Sequence, residues 1–131
     1  RYNYILSPHP IYRKEIKKIY LESNINFKYY DNKKTNDLIR VSDLVIAGFS
    51  HSAIESQILG VPSIRIINLK KPIYIDYKDK IKIIYDKNEL IRILRYGNFK
   101  KYKIKKINDV IKFYFNKLDH KSYKRFLNYV N

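Results

Sequence analysis

The sequence predicts an α/β fold, a parallel sheet with helices on both faces, followed by C-terminal helices. Three observations predict it. Short β-rich runs alternate with helix-patterned segments from Tyr2 to Gly97, the order that builds a parallel sheet. One run, "DLVIA" (Asp43–Ala47), is continuously apolar, as expected for a strand covered on both faces. From Ile107 the pattern changes to helical stripes.

The elements follow in order. "YNYIL" (Tyr2–Leu6) is a short β-rich run that Pro8 and Pro10 stop. Pro10 suits the first turn of a helix, and Ile11, Ile16, Ile19 and Tyr20 then fall near helical spacing. "INFKYY" (Ile25–Tyr30) is the next strand, and "DNKKTN" a polar turn in which Thr35 or Asn36 caps a short helix, "DLIRVS". After Asp43–Ala47 a helix runs from about His51 to Leu59. Gly60 stands where a left-handed C-terminal residue belongs, and Pro62 prevents continuation. "SIRII" and "KIKIIY" read as strands, and "KNELIRILRYG" as a helix ending at Gly97. Ile107, Val110, Ile111, Tyr114, Phe115 and Leu118 form one helical stripe; Tyr123, Phe126, Leu127 and Val130 form a second.

Composition bounds what such a chain does. Its 131 residues suffice for one domain with a core. The chain opens on Arg1 with no signal-peptide pattern and no Met, and so reads as a piece of a longer protein. No apolar run approaches the length of a membrane span. The absence of cysteine removes disulfides and thiolate metal sites, and fits a reducing compartment. The net charge of +16 raises nucleic acid and anionic membrane as partners. The cations, however, alternate with apolar residues along the chain, as on solvated faces. No RRM-like, KH or zinc-finger pattern accompanies them. Contact with lipid headgroups is the more plausible of the two; nucleic acid is not expected. His9, His51 and His120 do not form a ligand-spaced set, so no protein-bound metal is expected. Asp76 and Asp79 lie in "IDYKDK", which reads as a polar loop.

The segment richest in chemistry is "VIAGFSHSAIES" (Val45–Ser56), where an apolar run ends in small polar residues and a helix begins. Ligands of open parallel sheets collect at the carboxyl ends of strands. A helix N-terminus there holds anions, phosphate above all. Gly48 allows a tight turn and close backbone approach. Ser50 is a good N-cap, and Ser52 offers a second hydroxyl. Glu55 lies on the same helical arc as His51 and Ser52, bracketed by Ile58 and Leu59. In nucleotide-binding α/β folds such a carboxylate accepts from ribose hydroxyls; the alternative is a helix-start acid favoured by the dipole. A second element is "SPHP" (Ser7–Pro10): His9, held between two prolines after the first strand, can donate to a phosphate oxygen or protonate a leaving phosphate.

At these residues the sequence resembles the C-terminal half of GT-B glycosyltransferases, above all bacterial enzymes of capsule and surface-polysaccharide synthesis of the sialyl- and polysialyltransferase-like type. Their "HP" motif after a strand is matched by His9 and Pro10, and their serine-rich turn by Ser50 and Ser52. The wider pattern of a Glu on the helix and then "GxP" is matched by Glu55, Gly60 and Pro62. The likeness covers roughly residues 2 to 67. It implies a Rossmann-like nucleotide-sugar-binding domain over 1–106, one half of a GT-B fold, with a C-terminal helical extension over 107–131. It also implies a metal-independent glycosyltransferase with no cofactor beyond its substrate, a CMP-, CDP- or UDP-linked donor. His9 is then the catalytic residue, Gly48, Ser50, His51 and Ser52 hold the nucleotide phosphate, and Glu55 holds the ribose. The acceptor is a glycan or a lipid-linked acceptor, and the general base lies in an N-terminal domain of the same enzyme, so no base is assigned here. The location implied is cytoplasmic, peripheral at the inner face of the membrane. His51 departs from the family pattern, standing between the serines where many relatives have a small residue. A similar pattern occurs in CDP-glycerol or polyol-phosphate transferases and in the UDP-GlcNAc 2-epimerase type, which leaves the donor base open.

Two readings of other classes compete. "GFSHS" is close to the G-x-S-x-G nucleophile elbow of a serine hydrolase. There Ser52 replaces the final glycine, and only His120 follows as a base. A basic, Tyr-rich binding module for nucleic acid or membrane is the other; its mark would be steeply salt-dependent affinity indifferent to nucleotide.

Overall fold

The computed structural model describes residues 2–23, 27–30, 33–67, 81–115 and 121. The chain forms two compact units, Arg1–Val41 and Ser42–Asn131. The α/β class holds in both. Its parallel strands form two small sheets, one in each unit, where the sequence predicts one.

In the first unit β1 (Tyr4–Leu6) pairs in parallel with β2 (Phe27–Tyr29), Tyr4 opposite Phe27 and Leu6 opposite Tyr29. A 3₁₀ turn at Pro10–Tyr12 leads into α1 (Arg13–Glu22). Tyrosine joins the helix to the strand. The Tyr20 hydroxyl donates to the Phe27 carbonyl at 3.0 Å, and the Tyr29 hydroxyl donates to the Arg13 carbonyl at 3.3 Å. Their rings stack at 5.2 Å. Each ring therefore supplies apolar area while its hydroxyl finds a partner, which explains how a Tyr-rich sequence packs without tryptophan. α2 (Thr35–Arg40) begins one residue earlier than a Thr35 cap requires and two earlier than an Asn36 cap requires. Lys34 stands at the cap, where its side chain has no acceptor to offer the exposed N–H groups.

In the second unit β3 (Val45–Ala47), β4 (Ser63–Ile66) and β5 (Lys82–Ile84) lie side by side in that order, all parallel. Strand alternation sorts their side chains onto two faces. On one face Ala47 packs with α3 (Ser52–Ile58) and α5 (Ile107–Phe115), in a cluster built on Ala53, Ile54, Ile81 and Val110. On the other face Ile64 and Ile84 meet Ile93 of α4 (Lys87–Tyr96), with Leu90, Phe99 and Tyr102 around them. Helices thus cover both faces of this sheet. Ile54, Ile64 and Ile84 are fully buried, and each such side chain contributes roughly 1.5–3 kcal/mol.

Helix ends follow the sequence signals closely here. Asp86 caps α4, accepting from the N–H groups of Asn88 and Glu89 at 3.0 and 3.3 Å, and Gly97 ends it in the left-handed region at φ 66°. Gly60 has φ 80°. The Val61 N–H donates to the Ser56 carbonyl and the Gly60 N–H to the Gln57 carbonyl, the paired bonds of a Schellman end. The expectation that β3 is covered on both faces is corrected: Ile46 is 41% exposed, because on its face α4 packs over Ile64 and Ile84 of β4 and β5, while the Val45 and Ala47 side of β3 faces α3. A 3₁₀ turn at Phe99–Tyr102, absent from the sequence reading, links α4 to α5. The second C-terminal stripe, Leu118, His120, Asp76 and Asp79 lie outside the described residues. Among the described residues no helix is long and apolar enough to cross a membrane.

Candidate functional site

The turn from Gly48 to Ser52 lies at the carboxyl end of β3 and leads into α3, as the sequence predicts. Its geometry differs in detail. The helix starts at Ser52, so the cap position falls on His51, whose side chain makes no capping bond. Ser50 acts from one residue further back: its Oγ accepts the Ser52 N–H at 3.1 Å. The two serine hydroxyls stand 2.9 Å apart. One O–H is used between them and the other is left to donate, since a hydroxyl carries one hydrogen and two lone pairs. The His51 carbonyl accepts from the N–H groups of Ile54 and Glu55, and its imidazole is exposed.

Arg65 sets this turn from below. Alternation along β4 places Arg65 on the same face as Ser63, and its side chain is buried, with 1% exposure. Its Nη1 donates to the Gly48 carbonyl at 3.0 Å and to the Ser50 carbonyl at 2.9 Å. Hydrogen bonds from a charged donor are stronger than neutral ones, so the guanidinium fixes the turn through its two carbonyls. Sequence reasoning missed this residue. The signal was present as a cation inside the apolar run "VPSIRII", since a charge in a covered parallel strand needs partners.

Gly48 is not held in a left-handed conformation; of the three glycines only Gly60 and Gly97 are. A Cβ at Gly48 would lie 3.8 Å from the Ile66 carbonyl oxygen, an ordinary contact. The turn therefore does not use the positive φ that favours glycine.

Glu55 sits one turn into α3, half-buried on the side opposite the buried arc of Ala53, Ile54, Ser56 and Gln57. Ile58 and Leu59 flank it, also half-buried. Among the described residues its carboxylate has no hydrogen-bond or ion-pair partner. It shares an arc with Ser52, as the helical spacing predicts.

A second unforeseen residue holds α3 in place. Gln57 is buried. Its Nε2 donates to Ser63 Oγ at 3.0 Å and to the Tyr102 carbonyl at 2.8 Å, and its Oε1 accepts the Ile104 N–H at 2.9 Å. Ser63 Oγ in turn donates to the Ala53 carbonyl at 2.7 Å, and Ser56 Oγ donates to the Val61 carbonyl at 2.8 Å. The core side of α3 is thus anchored by directional bonds, which a pattern of apolar spacing could not reveal.

His9 belongs to the first unit, after the carboxyl end of β1. It caps the 3₁₀ turn, its Nδ1 accepting the Ile11 N–H at 3.3 Å. That bond places the hydrogen of the neutral ring on Nε2. The exposed His9 then presents an N–H donor outward. Protonation of Nδ1 would abolish the cap, so a role as proton donor costs the turn a bond that a role as hydrogen-bond donor keeps.

No His, Asp or Glu group of three or more gathers to hold a metal among the described residues. Ser50 Oγ has Ser52 as its partner and no histidine. Comparison with protein-family models, with curated proteins and with solved structures finds no match to this chain.

Proposed function

We propose that this chain is the nucleotide-sugar-binding half of a metal-independent glycosyltransferase of surface or capsular polysaccharide synthesis. The observation that carries the reading is the Gly48–Ser52 turn. It lies at the carboxyl end of a parallel strand, presents a paired serine hydroxyl with a hydrogen to spare, and rests on the buried Arg65 guanidinium. A phosphate needs donors held in a fixed place; the serine hydroxyls supply the donors, and Arg65 fixes the turn that presents them. α3 spans seven residues, so these groups matter more than its dipole. Glu55, on the Ser52 arc and without a protein partner among the described residues, is the acceptor for ribose hydroxyls. His51 adds an exposed donor beside the turn. In the first unit, His9 by itself exposes an Nε2–H of the kind a phosphate oxygen accepts from. Held at the Gly48–Ser52 turn, the departing nucleotide would have its growing negative charge stabilised as the glycosidic bond breaks.

The test is calorimetric binding of CMP, CDP, UMP and UDP to the whole chain at moderate salt. One nucleotide is expected to bind at least about tenfold more tightly than the others. Ser50→Ala should weaken it by about ten- to a hundredfold, the worth of one hydrogen bond to a charged acceptor. CMP preference marks a sialyltransferase-like donor, CDP preference glycerol- or polyol-phosphate transfer, and UDP preference a hexose or hexosamine donor. Equal binding of all four that fades with salt would overturn the reading, because the net charge of +16 alone would explain it.

A further inference from the structure

The cations of the second unit are not evenly spread. From Lys87 to Asn108 the chain carries eight Lys and Arg residues and a single acid, Glu89. That acid is already engaged by Lys82, whose Nζ stands 2.8 Å from its carboxylate. The segment also has a consistent inside and outside. Along α4 the covered arc holds Leu90, Ile93 and Leu94, while the outer arc holds Lys87, Ile91, Arg92, Arg95 and Tyr96. Beyond Gly97, Phe99, Tyr102, Ile104 and Ile107 turn into the core, and the lysines at 100, 101, 103, 105 and 106 are all exposed.

This strap is rigidly seated. Gln57 takes hold of it on both sides, at the Tyr102 carbonyl and the Ile104 N–H. Lys101 Nζ lies 5.1 Å from the Tyr102 ring centroid, so part of the charge is held close to the surface. Among these cations stand two exposed apolar side chains, Tyr96 at 77% and Ile91 at 41% exposure.

The geometry points to a docking surface for an anionic phospholipid membrane, made by the outer face of α4 and the lysine strap that follows it. Charge complementarity selects a polyanion: clusters of four to eight Lys and Arg attract anionic headgroups within a Debye length. Ile91 and Tyr96 select a membrane among polyanions. An aliphatic side chain gains nothing from a phosphodiester strand but gains from the boundary between headgroups and acyl chains, where tyrosine also settles. The strap holds lysines, compact point charges, where base reading would favour planar or bidentate donors. The surface lies within the second unit and does not depend on what the Gly48–Ser52 turn binds.

The experiment is flotation of the whole chain with vesicles of phosphatidylcholine, pure or with about 30% phosphatidylglycerol, at 0.1 M and 0.5 M salt. Binding is expected only with the anionic lipid and is expected to fall at high salt. Replacing Lys100, Lys101, Lys103, Lys105 and Lys106 by Gln should lower partitioning by at least about thirtyfold. A control replacing Lys14, Lys17, Lys18, Lys33 and Lys34 by Gln removes the same charge from the first unit and should cost about threefold or less. Ile91→Ser with Tyr96→Ser should weaken partitioning at both salt concentrations, and circular dichroism checks that each variant is folded. Equal losses in the two lysine variants would overturn the proposal, since total charge would then be responsible. So would strap-dependent binding of single-stranded RNA that outcompetes the vesicles at equal phosphate.

Discussion

Replacing Gln57 by leucine asks how much of the second unit depends on one buried amide. The substitution keeps the side-chain volume close and removes the bonds to Ser63 Oγ, the Tyr102 carbonyl and the Ile104 N–H. Ser63 Oγ still donates to the Ala53 carbonyl, so the groups left without a partner are the Tyr102 carbonyl and the Ile104 N–H. Each orphaned buried group costs about 1–3 kcal/mol. Both residues are half-buried, so water can reach part of the way and the lower half of that range applies. A loss of about 2–4 kcal/mol follows, a large part of a stability of about 5–15 kcal/mol. The assay is urea denaturation of the chain and its variant, with amide exchange at Ile104 read by NMR. The Ile104 amide should exchange faster than in the parent by more than the Val61 amide does, because Val61 keeps its bond to the Ser56 carbonyl. A loss below about 0.5 kcal/mol, with Ile104 protection unchanged, would refute the claim that the amide holds the strap.

Gly48→Ala should change stability by less than about 0.5 kcal/mol, because the new methyl meets only the Ile66 carbonyl at 3.8 Å; calorimetric nucleotide affinity should nevertheless fall if a phosphate approaches the backbone there. Gly97→Ala should cost about 1–2 kcal/mol in denaturant titration, since residue 97 holds φ 66°. Asp86→Ala removes the acceptor for two N–H groups and should cost about 1 kcal/mol by the same titration. Arg65→Met should loosen the Gly48–Ser52 turn, read as faster amide exchange at Ser52 and weaker nucleotide binding; unchanged exchange there would show that the turn stands without the guanidinium.

Where a residue's conformation follows from its own chemistry, the sequence was enough to place it. Gly60 and Gly97 end helices because glycine tolerates positive φ, and Pro10 opens a helical turn because its ring suits that position. The β–turn–α order around Val45–Ser56 was legible for the same reason. What escaped were effects decided by distant neighbours. Whether Ile46 is covered depends on how far α4 reaches across the sheet, and the cap of α3 moved to His51 because Ser50 reaches forward to Ser52 while Arg65 holds its carbonyl. Arg65 and Gln57 stood in plain view as polar residues in apolar surroundings, but their partners lie from 6 to 47 residues away in sequence. Local periodicity says that such a side chain needs a partner without saying which one. The split into two sheets was equally hidden, because each strand signals its pairing type and not its neighbour.

The stacked Tyr20–Tyr29 pair has a practical consequence. With no tryptophan in the chain, the near-ultraviolet spectrum belongs to tyrosine, and two rings fixed 5.2 Å apart couple optically in a way that mobile rings do not. The first unit therefore carries a coupled pair of its own, although tyrosines of the second unit, Tyr102 in its core among them, absorb in the same region. The difference in near-ultraviolet circular dichroism between the chain and a Tyr20→Leu variant isolates that pair, and its loss on heating, set against the far-ultraviolet ellipticity of the whole chain, tells whether the two units lose their structure together or in sequence.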